Sequence, residues 1–419
     1  MNTNKRTEIA QLGKFGLIEH LTQGIAPSNK ETLLGVGDDA AVLQFNEGEE
    51  TLLATKLFME GIHFDLTYFP LEHLGYKAAM ATFSSIYAMN GTPKQLTISL
   101  AISKKLCIED TEDFYEGVKL ACKNHNVDIA GTEITASLTG FAISIAVTGT
   151  APKGASVKRS GAKETDLICV TGNLGAAYMG LQLLEREKIA TEGYEIQPDF
   201  SGKEYILERQ LKPEARKEII EKLREENIRP TSMISVADGL SSELMHICKQ
   251  SGTGCRIYEE RIPIDYQTAI MAEELNLNVI TCALNGGDDH ELLFTVPIAD
   301  HEKVAAIKNV HVIGYVVNKD MGLALITRDG VEMELKAQGW VQNSKKAMIL
   351  HHIIQTIFVI AGVTALLAAI LNWDWFFTAR NAEFVVKRLG RTNSRILYGI
   401  AGLLFITAAV YFYYQIKSI

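Results

Sequence analysis

The sequence predicts an α/β protein of two domains followed by a hairpin of two hydrophobic helices. Three observations predict it. Short β-rich runs alternate with helical stretches up to about residue 342, as a sheet with helices packed on it would read. Turns rich in Gly and Asp stand at the ends of those runs. Two uncharged apolar segments, Ile353 to Leu371 and Ile396 to Gln415, close the chain.

Composition sets the outer bounds. A chain of 419 residues, 47% hydrophobic and 22% charged, is globular and long enough for roughly two to three domains. The formal net charge of −9 argues against a nucleic-acid partner, because phosphate binding wants a basic face. Cysteines at 107, 122, 169, 248, 255 and 282 form no CxxC pair, so reduced thiols are expected, with no zinc site and no disulfide framework. The start, MNTNKRTEIAQLGKFG, has no apolar run of the signal-peptide kind, so the folded part is expected in the cytoplasm.

In chain order, GVGDDAAVLQF and TLLATKLFMEGIHF read as strands bounded by Gly, Asn and Asp. Leu74 to Asn90 reads as a closely packed helix. LTISLAIS and FAISIAVTGTA are β-rich runs around a charged helix from about Glu109 to Asn124. Residues 1–150 form the first domain and 151–342 the second, with 343–419 as the tail. In the second domain DLICVTG is a strand and GNLGAAYMGLQLLERE turns into a helix. Segment 188–208 is polar and expected as a loop. Pro213 suits the first turn of a helix through PEARKEIIEKLREEN. SMISVADGLSSELMHICKQSG repeats strand, turn and helix, with Gly252 as its C-terminal cap.

Four turns could carry chemistry: Gly37-Asp38-Asp39, Gly172-Asn173-Leu174-Gly175, Asp238-Gly239-Leu240-Ser241 and Gly286-Gly287-Asp288-Asp289. Glycines let backbone N–H groups approach anionic oxygens, a helix N-terminus adds a favourable dipole, and carboxylates hold magnesium against phosphates. Each turn alone is also ordinary Gly/Asp turn chemistry.

Taken in order, these turns resemble those of thiamine-monophosphate kinase, in the superfamily of aminoimidazole ribonucleotide synthetase. The resemblance runs over residues 1–340 through GVGDDAAVL, EGIHFDL, LGYKAAMATFSSIYAMNGTP, KRSGAKETDLICVTGNLGAAYMGLQLLERE, LKPEARKEI, PTSMISVADGLSSE, NGGDDHELLF and ELKAQGW. It implies a homodimer joined through the sheet of domain 1–150, with ATP and Mg2+ in the cleft beside domain 151–342. The implied reaction carries the γ-phosphoryl group of ATP to thiamine monophosphate, giving thiamine diphosphate. On the matching positions it implies Asp38 and Asp238 as catalytic residues, and Asp38, Asp39, Thr55, Glu133 and Asp238 around the metal. Arg159, Gly131 and Thr132 then meet the nucleotide, and His63, Asp288 and Trp340 meet thiamine monophosphate.

The chain departs from that pattern at Lys56, Ser85 and Ser235, where the family carries aspartates. Glu133 is a lengthened aspartate and Asp288 a shortened glutamate. The expected activity is therefore weakened. Lys56 stands in for a magnesium ion, or pairs with Asp38 or Glu133 in a decayed site, or points to solvent. His63 could equally be a core histidine and Trp340 a cap on the core. The alternative function is an inactive, membrane-tethered pseudokinase or immunity-type scaffold that binds nucleotide or thiamine phosphate.

Each apolar segment of the tail is just sufficient for a membrane span, at about 350–371 and 396–415. Trp373, Trp375, Phe376, Phe377, Tyr411, Tyr413 and Tyr414 suit an aromatic belt. Arg380, Lys387, Arg388, Arg391 and Arg395 make the connector basic. The tail resembles a two-helix family of bacterial immunity proteins through NWDWFF and LGRTNSRILYGIAGL. It is expected to fix the protein to the inner membrane with the soluble part in the cytoplasm, beside an unknown membrane partner.

Overall fold

The computed structural model describes residues 20–34, 42–43, 45–191, 200–337 and 345–417. Two compact units emerge, Met1–Gln338 and Gly339–Ile419.

The first unit holds two main sheets. A four-stranded sheet contains β3 (Glu49–Met59), β4 (Thr92–Ile102), β5 (Asp128–Ala136) and β6 (Ala142–Pro152), in the order β3-β6-β4-β5. Only β4 and β5 run parallel. Short strands β1 (Thr32–Leu34) and β2 (Val42–Leu43) pair beside it. Leu96, Ile98, Leu100, Ile143, Ile145 and Val147 alternate onto the buried face, as a period of two requires. Helices α1 (Leu71–Tyr87) and α2 (Ile108–His125) belong to that core. Helix α1 is buried nearly all round, from Leu74 to Tyr87, which explains its run of alanines. The two helices touch backbone to backbone. A Cβ at Gly117 would meet the Glu72 carbonyl oxygen at 1.8 Å, and one at Gly75 the Phe114 carbonyl oxygen at 2.0 Å.

The second sheet has seven strands: β7 (Leu167–Thr171), β8 (Ser232–Val236), β9 (Thr253–Tyr258), β10 (Glu291–Val296), β11 (Val310–Asn318), β12 (Leu323–Ile326) and β13 (Glu332–Glu334). Their order is β13-β12-β9-β11-β7-β10-β8, antiparallel except for β12 with β9. Strands β7 and β10 are buried at every residue, as central strands covered on both faces are. Helices α3 (Ala176–Thr191), α4 (Glu204–Leu211), α5 (Lys217–Glu225), α6 (Leu240–Ser251), α7 (Tyr266–Glu274), α8 (Val279–Asn285) and α9 (His301–Ala305) complete the unit.

Two expectations need correction here. The polar segment 188–208 is no simple loop: α3 runs to Thr191, and α4 begins at Glu204, burying Ile206, Arg209 and Gln210. Pro213 lies between α4 and α5, not in a first turn, since the next helix starts at Lys217. Gly252 does cap α6, in the left-handed conformation at φ 68°.

The second unit is a helical hairpin of α10 (Lys345–Leu371), α11 (Asp374–Thr378) and α12 (Arg380–Lys417), the last broken at Gly390 by φ 77° and ψ 162°. Gly362 and Gly402 let the long helices meet, for a Cβ at Gly402 would lie 2.7 Å from the Gly362 carbonyl oxygen. Both expected spans fall on helices. Among the described residues, however, no helix is long and apolar enough to cross a membrane. The basic connector also has local work. Arg395 donates to the carbonyls of Ala369 and Ile370 at 2.8 and 3.1 Å, satisfying the end of α10. Arg391 bonds Asn372 and Asp374 and lies 4.6 Å over the Phe377 ring. Lys387 pairs with Glu383 at 2.7 Å.

Candidate active-site cleft

Strand β3, the end of α1, the segment 158–160, strand β8 and the start of α6 enclose a cavity of about 450 Å³ in the first unit. Lys56, Ser85, Lys158, Arg159, Ser235, Asp238 and Glu243 line it. Lys56 faces inward because β3 alternates. It stands in register with Ile145, Ile98 and Thr132 on the helix-covered side of the sheet. Among the described residues, none of Lys56, Lys158 and Arg159 has an ion-pair partner. The Ser235 hydroxyl is buried and has no hydrogen-bond partner among the described residues.

Glu243 organises the acidic wall. Its Oε1 accepts the N–H groups of Asp238 at 3.0 Å and Ala237 at 3.3 Å, bridging β8 to α6. Burial pushes its pKa up, and Asp238 beside it adds to that, although the backbone donors pull the other way. Asp238 itself is exposed at the cleft mouth.

Of the predicted metal ligands only Thr55, Glu133 and Asp238 are described, and Thr55 and Glu133 do not line the cleft with Asp238. Thr55 and Glu133 belong to the other face of the four-stranded sheet, where Thr55 aligns with Ala146, Thr97 and Gly131. Both are exposed there, one strand position away from the inward row that holds Lys56. This removes the expected Lys56–Glu133 pair. Asp38, Asp39 and Trp340 lie outside the described residues. Among the described residues no three His, Cys, Asp or Glu side chains form a metal-sized group. Magnesium wants several oxygen ligands, usually with carboxylates among them, and the cleft sets the Lys56 ammonium with only two carboxylates, Asp238 and a Glu243 already engaged by two backbone N–H groups. The described donors do not fit that ion. The nucleotide set divides too: Arg159 lines the cleft, Gly131 lies on the outer row, and Thr132 accepts a 2.9 Å bond from Tyr115 on the inner side.

Of the substrate set, His63 and Asp288 are described. His63 is exposed, so it is not a core histidine, and its Nδ1 accepts the Met59 N–H at 3.1 Å. Asp288 sits in the left-handed region at φ 62° and is tied to the buried Lys77 ammonium at 2.6 Å. Burial works to raise its pKa, but Lys77 and the His290 ring outweigh burial and hold it well below the usual carboxylate range. Lys77 also donates to the Gln210 carbonyl at 2.8 Å.

Two of the four candidate phosphate turns serve the fold instead. Gly175 N–H and Ala177 N–H, which a phosphate at the start of α3 would use, go to Asp289 at 2.9 and 3.4 Å. At the 238 turn the Asp238 N–H, with that of Ala237 before it, goes to Glu243. Asp289 is fully buried, and burial pushes its pKa up to about 7 despite the Arg209 charge. Next to it, buried Glu291 accepts from Thr171 at 2.5 Å, Arg209 at 2.7 Å and Arg216 at 2.6 and 2.5 Å.

Sequence reasoning missed Lys158, Glu243, Lys77, Arg209 and Arg216. Glu243 had a visible signal, an acid early in a helix opened by a Gly turn. Arg209 had none once its segment was taken to border a loop.

This fold and cleft define a class. The family model for the N-terminal domain of AIR synthase related protein matches residues 37–151, and the model for Immunity protein 17 matches 357–413. Thiamine-monophosphate kinase of Aquifex aeolicus is 32% identical over 69% of this chain and 87% of its own length. That of Bacillus subtilis is 30% identical over 78% of this chain and 99% of its own. A solved structure, AaThiL complexed with AMPPCP and TMP, superposes with a TM-score of 0.61 at 30% identity, covering 79% of this chain and 97% of that one. The chain belongs to the thiamine-monophosphate kinase family and carries an additional tail similar to Immunity protein 17.

Proposed function

We propose that residues 1–342, as domains 1–150 and 151–342, transfer the γ-phosphoryl group of ATP to thiamine monophosphate. An oxygen of the substrate phosphate bonds to the γ-phosphorus. The bond from that phosphorus to the β,γ-bridging oxygen breaks, and ADP leaves with the electron pair. The nucleophile is already an anion at neutral pH, so the protein supplies positioning and charge rather than a strong base. The observation that supports this reading is the cleft with Lys56, Lys158 and Arg159 on one wall and Asp238 and Glu243 on another, in a chain of this family. His63 and Asp288 are proposed on the thiamine side, with Asp288 acting as a fixed charge because Lys77 holds it. A magnesium requirement, with Asp38, Asp39, Thr55, Glu133 and Asp238 as ligands, comes from the sequence resemblance alone. No step is routed through the ion.

The test is thiamine diphosphate formation by the full chain from thiamine monophosphate and ATP at varied magnesium. Product well above a heat-killed control supports the reading. Binding of both ligands with no product favours the second reading, a pseudokinase, which the placement of Thr55 and Glu133 on the sheet face opposite Lys56 supports.

Two structural proposals go with it. Leu53 and Leu57, 75% and 58% exposed on the outer face of β3, support a homodimer through that face, measurable by light scattering. Ile360, Leu371 and Leu404 are more than half exposed on the hairpin, which supports its association with the inner membrane, facing the cytoplasm and beside a membrane partner. Flotation of the full chain with liposomes checks the association; a chain that stays at the bottom of the gradient contradicts it.

A further inference from the structure

We infer that the cleft holds a phosphate group directly on the Lys56 ammonium, in a subsite that needs no divalent cation. The inference rests on the phosphotransfer reading for the choice of anion. Three observations carry it. The cavity gathers three cations, Lys56, Lys158 and Arg159, against the two carboxylates of Asp238 and Glu243. None of the three cations is neutralised by an ion pair among the described residues. Like charges lining one cavity repel each other, and an anion entering it removes that repulsion. The Ser235 hydroxyl, finally, is buried in the cleft wall and has no hydrogen-bond partner among the described residues, which leaves it open to a ligand or water oxygen.

The chemistry of this wall matches phosphoryl oxygen. An ammonium with three N–H donors and two hydroxyls, Ser85 and Ser235, present donors to an acceptor-only group. A divalent cation asks for the reverse, and the Lys56 charge repels it from the same space. The Glu133 carboxylate, on the other face of the sheet, does not quench Lys56. The occupant assigned is a phosphate of a polyphosphate chain, as in a nucleotide tail.

Isothermal titration of the full chain with tripolyphosphate, in EDTA and in magnesium, tests this. Binding is expected in EDTA, weakened about tenfold or more by Lys56→Ala and largely retained by Lys56→Arg. Circular dichroism and a thermal melt show whether each variant is folded. Binding that vanishes in EDTA and returns with magnesium overturns the inference, as does a folded Lys56→Ala chain that binds like the parent. Thiamine monophosphate titrated alone separates the sources: if it binds in EDTA and tripolyphosphate does not, the polyphosphate assignment falls. Metal-free binding without thiamine diphosphate formation ends the phosphotransfer reading and leaves the subsite standing. Product formation joined to strictly magnesium-dependent binding does the opposite.

Discussion

The turn 286–291 and the cleft are both rich in charge, yet they treat it in opposite ways. In the turn, Lys77 meets Asp288, Arg209 and Arg216 meet Glu291, and Asp289 accepts two backbone N–H groups. In the cleft, Lys56, Lys158 and Arg159 have no such partner among the described residues, and the Ser235 hydroxyl has no hydrogen-bond partner among them. A buried charge must be compensated within the protein or the fold does not form. A charge that borders a cavity can wait for a ligand. The Gly/Asp turn that looks most like a phosphate site is therefore architecture, and the less regular cleft wall is where an anion is still wanted.

Glu291→Gln attacks the compensated side where the stakes are highest. It leaves two guanidinium groups around a neutral amide in a fully buried position. A loss of about 3–5 kcal/mol is expected in urea denaturation, because Arg209 stays buried without its counter-ion and Arg216 keeps only the exposed Glu218. A loss under about 1 kcal/mol would show that water reaches the pair and that the turn is less closed than its geometry implies.

Asp288 and Asp289 are neighbours whose linkage to pH has opposite sign. The folded pKa of Asp289 is raised to about 7, so its contribution is fully present below the unfolded value near 4 and is lost as pH climbs through about 7. That difference corresponds to a change on the order of 4 kcal/mol at most. Asp289→Asn keeps an acceptor for Gly175 N–H and should flatten the decline in stability between about pH 4 and pH 7. Melts across that range check it; an unchanged slope means Asp289 is ionised throughout. Asp288 has a lowered folded pKa, so its contribution is present above about pH 4 and lost as pH falls. Lys77→Met should weaken that acid-side loss and cost about 1–3 kcal/mol at neutral pH. The cost stays below that of Glu291→Gln because the Asp288 side chain, 42% exposed, can turn to water.

Much of this was legible in the sequence, and the gaps have physical causes. The alternation of β3 and β6 and the Gly252 cap follow from local rules, so strands and helix ends could be read directly. The cleft residues Arg159, Asp238, Ser85 and Ser235 were marked by their motifs. A motif match does not carry the sheet face of Thr55 and Glu133, because adjacent residues on a strand point opposite ways. That single parity separates Thr55 from Lys56. Lys77 and Arg209 went unseen because a buried cation looks like a solvent-exposed one until its partner, more than 70 residues away, is known. Neither hydropathy nor the charge of the connector can tell that Arg391 and Arg395 are spent on the end of α10 and the residues just after it.

Lys56→Ala should have the smallest effect on stability, and that smallness is the point. If the cleft charges are held for a ligand, removing one takes away no internal partner and relieves repulsion from Lys158 and Arg159. The change in unfolding free energy should lie within about 0.5 kcal/mol, and on the stabilising side at low salt. Rising ionic strength should erase the gain, since screening already quiets the repulsion in the parent chain. A loss above about 1 kcal/mol would mean that Lys56 is built into the fold like Lys77, with a partner such as Asp38 holding it. The contrast between the two clusters would then collapse, because both would be compensated from within.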